Sequence, residues 1–238
     1  MTTQADPNRL ILWDIDHTLI DTGGVGKRLY VRAFEAVSGK SMEHEVDVTG
    51  RTELDIFAET AQRHGIESSD DLVDRYRDEL ARQYQEHVHE LSTKGHRLPG
   101  AVQALAALAT MPKVVQTVLT GNLRAVAAVK LQAFGLHQYI DWTVGAYGDD
   151  DGYRPTLVVV AQRRAAEKYG VRFERHNTVI VGDSASDVAA ARDGGAMVIA
   201  VTSGRDDEQS LRSAGADTVL GSLADTHEFL STLGQTLS

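Results

Sequence analysis

Cysteine is absent from the 238 residues, which excludes a disulfide scaffold, thiolate zinc sites and a cysteine nucleophile and fits a reducing compartment. Clustered positive charge is missing too: 24 basic residues stand against 34 acidic ones, for a formal net charge of −10, and no run of lysines and arginines occurs. A nucleic acid or an anionic membrane is therefore not expected as a partner. No apolar run reaches the roughly 18 residues of a membrane span, and the stretch 1–9 is polar, holding Asp6 and Pro7 where a signal peptide would be apolar. The expectation is a soluble cytoplasmic protein that meets a small ligand, with no obligate protein partner implied. What is present is enough for a core: 42% of the residues are hydrophobic, and a chain of this length buries roughly 70–75% of its unfolded surface in one or two domains.

Short apolar runs bounded by glycine, aspartate or threonine recur at 10–13, 114–119, 142–144, 178–181, 197–201 and 218–220. Their length and β-branched content suit strands buried on both faces. Stretches of crossover-helix length fall at 123–134, 156–169, 185–192, 208–214 and 225–233, so the pattern predicts an α/β fold with a doubly wound parallel sheet. Between the first two runs stand about a hundred residues, where one crossover needs a dozen or so. That gap carries three apolar stripes at helical spacing: Val25, Leu29, Ala33, Ala36 and Val37; then Leu54, Phe57, Ala58 and Ala61; then Leu72, Tyr76, Leu80, Tyr84, Val88 and Leu91. A core of residues 1–21 and 95–238, interrupted by a small helical cap at 22–94, is the division they imply. Leu98-Pro99-Gly100 and an alanine-rich helix at 101–109 lead back to the sheet.

Reactive groups collect at the carboxyl ends of strands in an open parallel sheet. The first run ends in Asp14-Ile15-Asp16-His17-Thr18, the second in Thr120-Gly121-Asn122 and the fourth in Gly182-Asp183-Ser184-Ala185-Ser186-Asp187, while Asp149-Asp150-Asp151 and then Arg154-Pro155 precede the fourth. Carboxylates gathered on one edge with a hydroxyl and a single cation oppose folding, because unpaired like charges cost stability. A divalent cation resolves that conflict.

In order and context these segments resemble the four motifs of the haloacid dehalogenase-like hydrolase superfamily: Asp-x-Asp-x-Thr, a strand ending in Thr, a basic residue, and Gly-Asp-x-x-x-Asp. The likeness is greatest to its phosphoglycolate phosphatase-like and β-phosphoglucomutase-like branch, whose helical cap follows the first motif. The resemblance implies Asp14 as the nucleophile that forms an aspartyl-phosphate, and Asp16 as the acid and base, a role worth about 10²–10⁴-fold. It implies Mg²⁺ bound by the Asp14 and Asp183 carboxylates and the Asp16 carbonyl, with Asp187 supporting the site from behind. Thr120 and the amides of Gly121 and Asn122 would hold the phosphoryl oxygens, and Arg154 would supply fixed positive charge where the family more often has lysine. His17 replaces the usual glycine of the first motif and is a candidate for substrate contact, as is Arg51 in the Gly50-Arg51-Thr52 loop.

Each position also has a plainer reading. Ser184 to Asp187 forms a helix capping box, Asp16 and Thr120 are good turn formers, and Arg154 suits an exposed helix start. Gly23-Gly24-Val25-Gly26-Lys27 lacks the glycine and hydroxyl that a Walker loop needs at Asp21 and Arg28, so a hinge into the cap is the better reading. His87, His89 and Glu90 have no third metal ligand and suit a solvated face, and His44-Glu45 lacks the second histidine of a zincin. A phosphonatase would need a cap lysine, for which only Lys27 and Lys40 offer themselves. The leading expectation is a Mg²⁺-dependent phosphatase acting on a small phosphorylated metabolite; the alternatives are a phosphosugar mutase and a non-catalytic phosphometabolite sensor.

Overall fold

The structure is a computed structural model that describes residues 8–44, 46, 48, 50–204 and 206–237; the polar stretch 1–7 and Glu45 lie outside the described residues. Five parallel strands form the sheet: β1 (Arg9–Trp13), β4 (Val114–Val118), β5 (Thr178–Gly182), β6 (Met197–Val201) and β7 (Thr218–Leu220), in the order β4-β1-β5-β6-β7. Both faces of β1 are buried. Ile11 and Trp13 pack on one side against the helices α5 (Ala101–Ala109), α6 (Arg124–Ala133) and α10 (Thr226–Thr236). Leu10 and Leu12 pack on the other with α7 (Arg154–Tyr169), α8 (Ala185–Gly194) and α9 (Glu208–Ala214). That period-two alternation with apolar residues at every position is what a doubly covered parallel strand requires. The chain leaves β1 for β4 on one side and returns to β5 on the other, so a crevice opens beyond the carboxyl end of β1.

The apolar run 142–144 forms a turn, where a strand was expected. Asp141 accepts hydrogen bonds from the Thr143 amide and hydroxyl at 3.1 and 2.7 Å, an Asx turn that diverts the backbone. Trp142 stacks on Tyr147, and the segment touches β4 only at its two ends, the Asp141 amide donating to the Gln116 carbonyl and Ala146 bridging to Leu119.

The inserted segment begins and ends on a two-stranded antiparallel ribbon, β2 (Ile20–Asp21) with β3 (His96–Arg97), which the periodicity does not reveal. It carries α1 (Val25–Ser38), α2 (Glu53–Arg63), α3 (Asp70–Glu86) and α4 (Val88–Lys94). The third stripe is thus two helices, broken at His87. There Nδ1 donates to the Gln83 carbonyl at 2.8 Å and Nε2 accepts from Arg32 at 2.7 Å, so both ring nitrogens already have partners. Gly23 opens the insertion in the left-handed region, φ 60°, where a Cβ would collide with the Lys94 carbonyl. Phe34, Phe57, Leu72 and Tyr76 of the inserted helices belong to the same buried cluster as Trp13 and Val126. The buried side chains of the insertion are thus continuous with those covering one face of the sheet.

Candidate active site

β1 delivers Asp14 into the crevice, its amide fixed by a 2.9 Å bond to the Val181 carbonyl of β5. Asp14, Asp183 and Asp187 are all buried, and each offers an oxygen within 4.8 Å of the others. Burial and the three neighbouring acids Asp187, Asp183 and Asp16 push the Asp14 carboxyl well above the usual carboxylate range, against the opposing pull of Arg154. Arg154, on the first turn of α7, is itself buried; its Nη2 donates to Asp14 at 3.3 Å and to Asp187. Its Nε is buried with no hydrogen-bond partner among the described residues. An exposed arginine at a helix start is therefore excluded.

The capping box on α8 is also real: the Asp187 carboxylate accepts from the Ser184 amide at 3.1 Å and hydroxyl at 2.6 Å, while the Ser184 hydroxyl accepts from the Asp187 amide. The capping-box reading of Asp187 holds, and the same carboxylate also accepts from Arg154 beside Asp14. Thr18 donates to Asp183 at 3.1 Å.

Asp16 leads a second group. Lys130 of α6, only 4% exposed, donates to its two oxygens at 2.9 and 2.7 Å, and the Asn122 amide donates at 2.7 Å. These contacts outweigh burial and hold the Asp16 carboxyl below its usual range. Thr120 and Asn122 are buried beside it on the loop after β4. Residues 50–53 lie across that loop: the Glu53 amide donates to the Gly121 carbonyl at 2.8 Å, and the Leu123 amide donates to the Glu53 carboxylate at 2.6 Å. A Cβ on Gly121 would strike the Arg51 carbonyl, and one on Gly50 would strike Ser186. Burial pushes the Glu53 carboxyl up to about 7, Lys130 and the Leu123 bond notwithstanding.

The remaining candidates, His17 and Arg51, have other partners. His17 occupies the left-handed region with φ 62°; its half-buried ring faces Asp21 at 3.9 Å and its carbonyl accepts from Ser203. The Arg51 guanidinium lies along α2, paired with Asp55 and Glu59. Thr18 is the threonine of the first motif, whereas Lys130 and Glu53 stand outside the residues the motifs single out. A lysine in the otherwise apolar stripe Val126, Ala127 and Leu131 of α6 is the signal of these two that is readable in sequence.

The donor set suits Mg²⁺, since clustered buried carboxylates with one intervening arginine leave negative charge that a hard divalent cation would neutralise. Residues 11–201 match the family model for haloacid dehalogenase-like hydrolases. A phosphoglycolate phosphatase of Caulobacter vibrioides is 26% identical over 241 residues, covering 98% of this chain and 95% of its own. Among solved structures, a hydrolase from Pseudomonas syringae superposes with a TM-score of 0.68 at 23% identity, over 95% of this chain and 99% of that one. CbbY from Rhodobacter sphaeroides, solved in complex with phosphate, gives 0.65 at 20% identity, over 91% and 95%.

Proposed function

We propose that this chain, which belongs to the haloacid dehalogenase-like hydrolases and is a phosphoric monoester hydrolase, is a Mg²⁺-dependent phosphatase of small cytoplasmic phosphometabolites that works through an aspartyl-phosphate on Asp14. The observation that carries this reading is the buried juxtaposition of Asp14, Asp183 and Asp187 with Arg154, whose Nε has no acceptor among the described residues. A phosphoryl oxygen is an acceptor of the right charge.

Asp14 would attack phosphorus, forming the acyl-phosphate bond as the bond to the leaving alcohol breaks. Arg154 and the Thr120 loop would hold the equatorial oxygens. Asp14 and Asp183 would hold Mg²⁺ with the Asp16 carbonyl, while Asp187, engaged by Ser184 and Arg154, would fix the geometry behind them. When bound, the cation would screen the repulsion between the Asp14 carboxylate and the phosphoryl dianion. Asp16, kept as a carboxylate by Lys130 and Asn122, is set to take a proton from the water that hydrolyses the acyl-phosphate. In the first half-reaction it would give a proton to the alcohol, which an incoming anion favours by raising its affinity for that proton. The helices of 22–94, hinged at the β2–β3 ribbon, would act as a cap; residues 50–53 already touch the phosphate loop, and His17 and Arg51 are the nearby groups proposed to contact substrate.

The test is phosphate release from a broad panel of phosphorylated metabolites with and without Mg²⁺. Metal-dependent release supports the reading. Isomerisation of a sugar phosphate without net release would support the mutase instead, and binding without turnover a sensor.

A further inference from the structure

Asn122 has a forced orientation. Lysine can only donate and a carboxylate can only accept, so the amide oxygen must face Lys130, at 2.5 Å, and the amide nitrogen must face Asp16, at 2.7 Å. That same nitrogen lies 2.8 Å from the Thr120 hydroxyl, which also accepts from the Asn122 backbone amide at 3.2 Å. Both lone pairs of the Thr120 oxygen are thereby used. Its proton is the one bonding capacity left among the described residues, and it can only be donated.

From this we infer that Lys130 is a positioning residue for phosphoryl binding: it fixes the Asn122 amide, which turns the Thr120 hydroxyl into an obligate donor, and with its other hydrogens it clamps Asp16. The ammonium is well placed for that task. It is buried, comes from α6, and has the Tyr84 ring of α3 5.3 Å away on its remaining side, so the helices of the insertion seal it from water. Without the lysine, the amide could turn over and present its oxygen to Thr120, whose proton would then be spent on Asn122. A phosphoryl oxygen would face a hydroxyl lone pair instead of a hydrogen.

The consequence for turnover rests on the phosphatase reading; the consequence for anion binding does not. Two measurements separate them. Titration calorimetry with inorganic phosphate compares Asp16→Asn with Asp16→Asn/Lys130→Met, a pair that lacks the Asp16 charge throughout, so that no carboxylate at that position repels the bound anion and the two proteins differ only at Lys130. The double variant should bind phosphate about five- to tenfold more weakly; equal affinity overturns the inference. In the otherwise native enzyme, Lys130→Met should lower kcat by about 10²-fold or more and raise KM, while Lys130→Arg, which can still donate to Asn122, should recover part of both. Turnover within threefold of the parent in a folded Lys130→Met protein overturns it as well. If the parent releases no phosphate from any ester while the calorimetric difference is found, the phosphatase reading fails and the role of Lys130 stands.

Discussion

The Arg154 guanidinium joins Asp14 and Asp187, donating through the same Nη2 to a carboxylate on the loop after β1 and to one in the first turn of α8. It is the cation that lets those acids share a buried space. Removing one member of such a group strands uncompensated charge, at a cost of about 3–5 kcal/mol. Arg154→Met should therefore unfold at a markedly lower denaturant concentration in metal-free buffer, and added Mg²⁺ should recover part of the loss. Equal midpoints for parent and variant would refute this balance of charges.

The same balance predicts that Mg²⁺ acts as a stabilising ligand. Free cation at about a hundred times its dissociation constant should raise the parent's stability by about 2.7 kcal/mol. Asp183→Asn, which removes a charge from the cluster, should show little of that increase. The readout is Tm against Mg²⁺ concentration, with Ca²⁺ as the comparison ion.

Gly121 is pressed by the Arg51 carbonyl, so Gly121→Ala must push residues 50–53 off the loop after β4. Displacements near 1 Å can cost about 10²-fold in rate. The variant should fold normally and lose kcat/KM on that scale; full activity would show that this contact is dispensable.

Much of this site follows from the order of motifs along the chain, because strand ends are local and a parallel sheet brings successive ones to a common edge. Asp14, Thr120 and Asp183 sit where those ends predict. What escapes is long-range. Glu53 reads as an ordinary acid in the first turn of α2, and nothing nearby in sequence says that it reaches Leu123, 70 positions away. The run at 142–144 has strand composition, yet the Asp141 side chain bends it. The stripe from Leu72 to Leu91 has unbroken helical spacing, yet the backbone leaves the helix at His87, whose ring and amide both donate to the Gln83 carbonyl.

Glu53 also yields a pH dependence. Its folded-state value, about 7, lies above the ordinary 4.5, so the folded protein binds the extra proton. The stability this contributes is complete below about pH 4.5 and is lost as pH rises through 7. Glu53→Gln keeps the acceptor for Leu123 and removes the titration. Between pH 5 and 8 the parent's Tm should fall by roughly 2–6 °C more than the variant's; parallel curves would contradict the assignment.

Asp14 carries the account, because its carboxylate accepts from Arg154 and stands within 4.8 Å of oxygens of both Asp183 and Asp187. Phosphate release from a small monoester in saturating Mg²⁺, measured for the parent and for Asp14→Asn, tests it directly. The exchange keeps the side chain's shape and removes the attacking charge, so release should fall by at least about 10³-fold with the fold intact. Activity within tenfold of the parent would contradict Asp14 as the nucleophile.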